Sequence, residues 1–240
     1  MSVKPYSTEQ PKKEQVHAMF DRIAPRYDLL NHTLSFGIDR RWRRRVVETV
    51  AACRPTRILD VATGTGDLAV ALARRIREAH ITGVDLSEKM LDVAQRKAAD
   101  RGLAERIALR QGDAERLGFD DASFDAATVA FGVRNFGDLD AGLRELARVL
   151  RPGGRLFVLE FSRPRNRLFR ALYEFYMFRV LPLIGGAVSR DRQAYAYLPA
   201  SVGEFPAPDA FVERLARAGF SAPCARSISG GIAYLYIGEK

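Results

Sequence analysis

Hydrophobic and polar positions follow two rhythms along this chain. Near the start, Val16, Met19, Phe20 and Ile23 recur at helical spacing, which predicts an amphipathic helix over roughly 12–24, stopped by Pro25. Trp42, Val46, Val47 and Val50 predict a second helix over 39–53, with Arg40, Arg41, Arg43, Arg44 and Arg45 on its outer face. From residue 57 the rhythm changes. Short apolar runs bounded by turn signals predict strands at 57–61, 81–84, 107–111, 125–131 and 155–161. Helical stretches separate them at 67–79, 88–100 and 138–150. Ser87 is a suitable N-cap for the second of these, and Pro152-Gly153-Gly154 closes the third.

Strand and helix in alternation imply a parallel sheet with helices on both faces. An aromatic helix at 167–181 follows, then a helix at 208–218 ending at Gly219. Two β-like runs, 223–228 and 232–237, flank Gly230-Gly231 and suit a closing antiparallel hairpin. The expected fold is α/β, a doubly wound and mostly parallel sheet with an antiparallel C-terminal strand and added N-terminal helices. One domain is expected over 1–240, in four parts: an N-terminal helical cap (1–53), a ligand-binding core (54–161), a helical insertion acting as a lid (162–205), and a closing helix with strands (206–240).

Composition narrows the function. With 240 residues and 47% hydrophobic content the chain can bury a sizeable core. The N-terminus lacks the apolar stretch of a secretory signal, and no apolar run reaches the ~20 residues that span a bilayer, so a cytoplasmic protein is expected. Cys53 and Cys224 lie far apart, and His17, His32 and His80 are scattered. Neither a zinc site nor a disulfide is expected, and chemistry without a metal follows. The net charge of +9 raises nucleic acid or anionic lipid as partners. The arginines are dispersed, however, and not interleaved with stacking aromatics along one groove, so no nucleic-acid partner is expected.

Ligands of a doubly wound sheet bind beyond the carboxyl ends of its strands. Three loops there carry suitable chemistry. The first holds Asp60, Thr63, Gly64, Thr65 and Gly66, where the glycines permit tight turning and close approach of a ligand. The second holds Asp85 and Leu86, about 20 residues further on, where a carboxylate can accept from both hydroxyls of a ribose. The third holds Asp113 and Ala114, within reach of an adenine amino group. A dinucleotide loop would carry a third glycine, and Ala69 stands at that position. Carboxylates around the loop favour a cationic sulfonium over a pyrophosphate, which points to S-adenosylmethionine.

Two longer stretches carry a family resemblance. Tyr27-Asp28-Leu29-Leu30-Asn31-His32-Thr33-Leu34-Ser35, continuing to Trp42, is the first. Arg148-Val149-Leu150-Arg151-Pro152-Gly153-Gly154, running on to Glu160-Phe161-Ser162, is the second, with Phe131-Gly132-Val133-Arg134-Asn135 between them. Together these resemble the ubiquinone/menaquinone biosynthesis C-methyltransferases from about Val16 to the C-terminus. Departures from the pattern are Leu30 for methionine, Asp39 for histidine, Arg151 for lysine, and Ala130 where many relatives place serine. The resemblance implies a class I methyltransferase fold of Rossmann-like type, with Thr65, Asp85, Asp113 and Ala114 among the cofactor contacts. It implies a prenylated quinol as substrate, demethylmenaquinol before a methoxy-benzoquinol. Further expected partners are a membrane surface, met peripherally from the cytoplasmic side, and a second copy of the chain in a homodimer.

The chemistry places demands on the site. An aromatic carbon is a weak nucleophile, and loss of the adjacent hydroxyl proton pushes electron density onto it. The acceptor is therefore expected reduced, as a quinol. Arg134 and Asn135, just past the fourth strand, are expected to hold the developing phenolate and the other ring oxygen. Tyr27 and Asp28 are expected to close the site, with Asp28 as candidate base. A basic aromatic segment at 163–185, including Arg167, Arg170, Phe169, Phe175, Leu181 and Leu183, is expected to shield a prenyl chain or rest on an anionic bilayer.

Overall fold

A computed structural model describes residues 3–6, 9–181 and 192–240. Seven strands form one sheet in the order β3-β2-β1-β4-β5-β7-β6, with β1 Arg57–Val61, β2 His80–Asp85, β3 Ile107–Gln111, β4 Phe124–Ala130, β5 Leu150–Phe161, β6 Ser221–Ile228 and β7 Ala233–Glu239. The first five run parallel, with Asp60 beside Gly83 on one side and Thr128 on the other. β7 runs antiparallel against β5, and β6 antiparallel against β7. Strand order reverses between β1 and β4, so a ligand crevice opens at the tips of those two strands.

Apolar runs make the central strands because both faces are covered. Leu59, Val129, Leu143 and Leu156 belong to one buried cluster, and Ile58, Leu72, Ile81 and Phe157 to the other. Helices α4 Asp67–Arg75, α5 Glu88–Ala99, α6 Leu139–Val149 and α9 Pro208–Arg217 accompany the sheet. Ser87 and Asp138 cap α5 and α6, accepting from the backbone N–H groups of Met90 and Ala141.

Over the strand tips sits a cap built from α1 Lys12–Ile23, α2 Tyr27–Leu34, α3 Ile38–Ala51, α7 Arg167–Phe175 and α8 Arg192–Glu204. A third cluster, including Val16, Met19, Leu30, Leu34, Met177 and Tyr197, binds these elements to one another. α1 ends at Ile23, just before Pro25, as expected, and Ala24–Arg26 form a 3-10 turn that leads into α2. Three expectations need correction here. The helix expected over 67–79 stops at Arg75, where Ile76 turns out of helical geometry. Pro152-Gly153-Gly154 does not close α6. The helix gives way at Leu150 to extended backbone, and the Pro-Gly-Gly forms a bulge inside β5 between the pairs Phe124–Leu150 and Ala126–Arg155. The aromatic helix covers the expected 167–181, with a π-helical turn at Tyr176–Val180. Leu183 and its neighbours lie outside the described residues. Finally, Arg43 turns inward from the basic face of α3, its side chain only 12% exposed and paired with Asp39.

Candidate active site

Two cavities lie between the cap and the strand tips, and three aromatic rings, Phe20, Tyr27 and Phe131, line both. The first cavity, about 80 Å³, takes the acids Asp85, Asp113 and Glu115 into an otherwise mostly apolar lining. Gly64, Asp85, Leu86, Asp113, Ala114, Ala130 and Asn135 line it, so the three expected loops do converge. Asp85 accepts from the backbone N–H of Gly64 at 2.8 Å and of Ser87 at 3.0 Å, one on each oxygen. Burial pushes this carboxyl up from its usual range.

The backbone around this cavity is shaped for a close ligand. Ala62, at the tip of β1, and Phe131, at the tip of β4, both adopt left-handed conformations (φ +53° and +59°) that wrap the crevice. Gly132 follows, and a Cβ there would stand 2.5 Å from the Cβ of Ala62. Only glycine lets the two strand tips meet so closely.

Other predicted residues of the first loop stand behind the cavity and not on it. Asp60 is fully buried, its oxygens accepting from the hydroxyls of Thr63 and Thr128, both at 2.6 Å. Burial pushes its carboxyl up to about 6. Thr65 is buried and donates to Asp28 at 2.5 Å, while Gly66 packs on Ala94 of α5. These groups hold the loop in shape. Asp28 does not line either cavity. It is clamped between Thr65 and Lys97, the latter at 2.6 Å, which removes the freedom a proton acceptor facing the ring would need.

Helix α1 closes the first cavity from above. Lys13 bonds Asp113 and stands 3.2 Å from Glu115, and these carboxylates raise its pKa against the opposing cost of desolvation. A strap of this kind had no distinct signal in the sequence.

The second cavity, about 400 Å³, is walled mainly by apolar and aromatic side chains, among them Met19, Trp42, Phe161, Tyr176 and Ile232. Arg134 and Arg43 are its cations among the described residues, and Arg43 is paired with Asp39. The Arg134 guanidinium Nη1 donates to Glu160 at 2.8 Å and to the carbonyl of Phe131, and its carbon lies 5.5 Å from the centre of the Phe161 ring. Glu160 is wholly buried, and burial raises its pKa while Arg134 opposes the rise. Sequence reading passed over this carboxylate, although an acid ending the apolar run Leu156–Leu159 was a usable signal. Asn135 is not beside Arg134 in this chamber. It faces the first cavity and accepts from the Tyr197 hydroxyl at 3.1 Å. Its expected hold on a ring oxygen therefore needs another residue.

Asp39, where the resembling family has histidine, is buried beneath α2. It accepts from Ser35 at 2.6 Å, lies 2.7 Å from His32 and pairs with Arg43 at 2.5 Å. His32, Asp39 and Asp67 approach closely enough to suggest a metal cluster, but Arg43 and Lys97 already neutralise the carboxylates.

The arrangement joins a small cleft edged by Asp85 and Asp113 to a large apolar chamber through one aromatic wall, which suits group transfer from a small donor to an apolar acceptor. Comparison with known proteins agrees. The chain is 50% identical over 222 residues to a demethylmenaquinone methyltransferase of Thermus thermophilus, covering 92% of this chain and 100% of that one. It is 49% identical over 230 residues to a ubiquinone/menaquinone biosynthesis C-methyltransferase of Geobacter sulfurreducens, covering 95% and 90% of the two chains. Among solved structures, a putative S-adenosylmethionine-dependent methyltransferase of Methanococcus maripaludis shares the fold, with a TM-score of 0.64 at 22% identity over 98% of this chain and 97% of that one. The profile of the ubiE/COQ5 methyltransferase family matches residues 8–240, and the chain belongs to that family as an S-adenosylmethionine-dependent methyltransferase.

Proposed function

We propose that this chain methylates a ring carbon of a prenylated quinol, taking demethylmenaquinol to menaquinol. The observation that carries the reading is the pair of cavities sharing Phe20, Tyr27 and Phe131. A flat ring with a long hydrocarbon tail matches a chamber of about 400 Å³ that is mostly apolar and holds two arginines, Arg134 and the Asp39-paired Arg43. The two-ring naphthoquinol is favoured by the likeness to the Thermus relative, a demethylmenaquinone methyltransferase.

S-adenosylmethionine supplies an electrophilic methyl group. In the first cavity, Asp85 would take its ribose, Asp113 and Ala114 its adenine, and Gly64 and Ala130 its tail side. Tyr27 stands in the shared wall, where it would align donor and ring. Arg134 stays charged and would stabilise the phenolate that forms as the hydroxyl proton passes to water. Glu160 holds Arg134 in place. Asp60, Thr63, Thr65, Gly66 and Asp28 would shape the donor loop from behind.

A tail of this kind resides in a bilayer. Phe36 (81% exposed), Leu168 (83%), Leu172 (65%) and Phe175 (60%) present an apolar rim on the helices around the second cavity, supporting peripheral docking at the cytoplasmic face. No helix among the described residues is long and apolar enough to cross a membrane.

The deciding experiment is incubation with labelled S-adenosylmethionine and each reduced precursor, followed by mass spectrometry. The expected result is efficient ring methylation of the naphthoquinol. Methylation of the benzoquinol alone would overturn the acceptor, and no product from either would overturn the reading. Co-sedimentation with liposomes should rise with anionic lipid and fall with salt. Indifference to both would count against docking.

A further inference from the structure

Three buried side-chain polar atoms lack a hydrogen-bond partner among the described residues: Arg134 Nε, Tyr173 Oη and Tyr236 Oη. An unpaired buried polar atom costs roughly 1–3 kcal/mol, so each asks for an explanation. Tyr236 belongs to the core on the far side of the sheet. The first two are different, because Arg134 and Tyr173 both line the second cavity. They come from separate elements, the turn after β4 and helix α7, and the sequence relates them in no way.

A quinol ring carries two oxygens, on opposite sides. The chamber offers two unsatisfied donors. Arg134 is already matched to the oxygen beside the reacting carbon, and Asn135, on the donor side, is engaged by Tyr197. We propose that the Tyr173 hydroxyl donates to the second ring oxygen of the acceptor, fixing which face and which carbon of the ring meets the methyl donor. This rests on the prenylated-quinol reading above and names the residue that reads the ring's far side.

Burial raises the pKa of Tyr173, which keeps the phenol protonated and a donor through the neutral range. The groups facing it from the neighbouring elements are Arg134, Glu160, Arg163 and Glu174. Helix α7 supplies the residue from the same turn region that exposes Leu172 and Phe175. The polar end of the ring would therefore be read at the inner end of a path whose outer end is apolar.

The test is Tyr173→Phe, which removes only the hydroxyl. Because that hydroxyl has no partner among the described residues, the variant should fold with an unchanged or raised thermal midpoint. It should bind S-adenosylhomocysteine as wild type does. Two acceptors are compared: the reduced dihydroxy ring, and its monohydroxy analogue keeping only the oxygen beside the reacting carbon. Wild type should favour the first in kcat/KM, and the variant should lose about tenfold of that preference, chiefly through KM for the dihydroxy ring. An unaltered preference would overturn the proposal while leaving the acceptor assignment standing. Calorimetric titration of wild type loaded with S-adenosylhomocysteine gives a reading without turnover or variant. Equal affinities for the two rings there would also overturn it. Failure of wild type to methylate the dihydroxy ring would remove both this inference and the reading beneath it.

Discussion

Cutting the Arg134–Glu160 pair is the sharpest test of the energetics at the acceptor chamber. The two side chains are 8% and 0% exposed, so each charge has given up its water for the other. Glu160 Oε1 accepts from Arg134 Nη1 at 2.8 Å and from the backbone N–H of Phe161 at 2.8 Å, which leaves no room for a compensating shift. Removing one partner of such a pair costs about 3–5 kcal/mol, because the other charge stays buried and unpaired. In a chain of this length that corresponds to a fall of roughly 6–20 °C in thermal midpoint. The two single variants should differ in a telling way. In Arg134→Met the stranded group is a carboxyl whose pKa burial already raises. It can escape by taking up a proton, so the penalty should shrink as pH falls from 8 towards 5. In Glu160→Met the stranded group is a guanidinium that cannot deprotonate, and its penalty should persist across that range. The double variant strands nothing and should cost at least about 2 kcal/mol less than the sum of the singles. Urea denaturation at both pH values gives the cycle. Methyl-transfer assays should show losses of about 10²-fold or more in all three variants, with S-adenosylhomocysteine affinity near wild type. Additive single costs, or an Arg134→Met penalty independent of pH, would refute the reasoning.

Two further outcomes follow from the donor loop. Asp60 has its carboxyl pushed up to about 6, above its unfolded value, so native protein binds a proton that unfolded chain releases. This group's contribution is full below pH ~4 and is lost as pH rises through about 6, a change of order 3 kcal/mol. Asp60→Asn should remove that slope, and urea midpoints at pH 5 and 8 that fall in parallel with wild type would argue against it. At the strand tips, Gly132→Ala would drive a Cβ to 2.5 Å from that of Ala62. A stability loss of about 1–3 kcal/mol with weakened S-adenosylhomocysteine binding is expected, and wild-type calorimetry in this variant would show that the tips can part freely.

The parts legible in the sequence were those with local causes. Apolar runs made the five parallel strands, Ser87 capped α5, and two of the strand-tip acids, Asp85 and Asp113, met in one cleft. The parts not legible depend on what packs against a residue. Thr65 and Asp28 read as site residues, yet they bond each other behind the loop. Arg43 sat in a run of solvent-facing arginines until Asp39 and Asp67 arrived from other elements to draw it in. Helix α8 had no reading from the sequence, and it carries Pro199 within it, held by its partners in the cap. Glu160 and Tyr173 stand far from Tyr27 in the chain and become neighbours of the same chamber only through the fold.

The strand order has a bearing on how this protein is made. β5 reaches the ribosome's exit long before β7, its permanent neighbour, so one flank of the nascent sheet stays unpaired while some seventy residues follow. That flank, Leu156 to Leu159, is among the most apolar backbone in the molecule. An open apolar edge is a template for pairing with other chains. Shielding by a chaperone, or rapid arrival of the β6–β7 hairpin, is thus the step on which the yield of native protein turns.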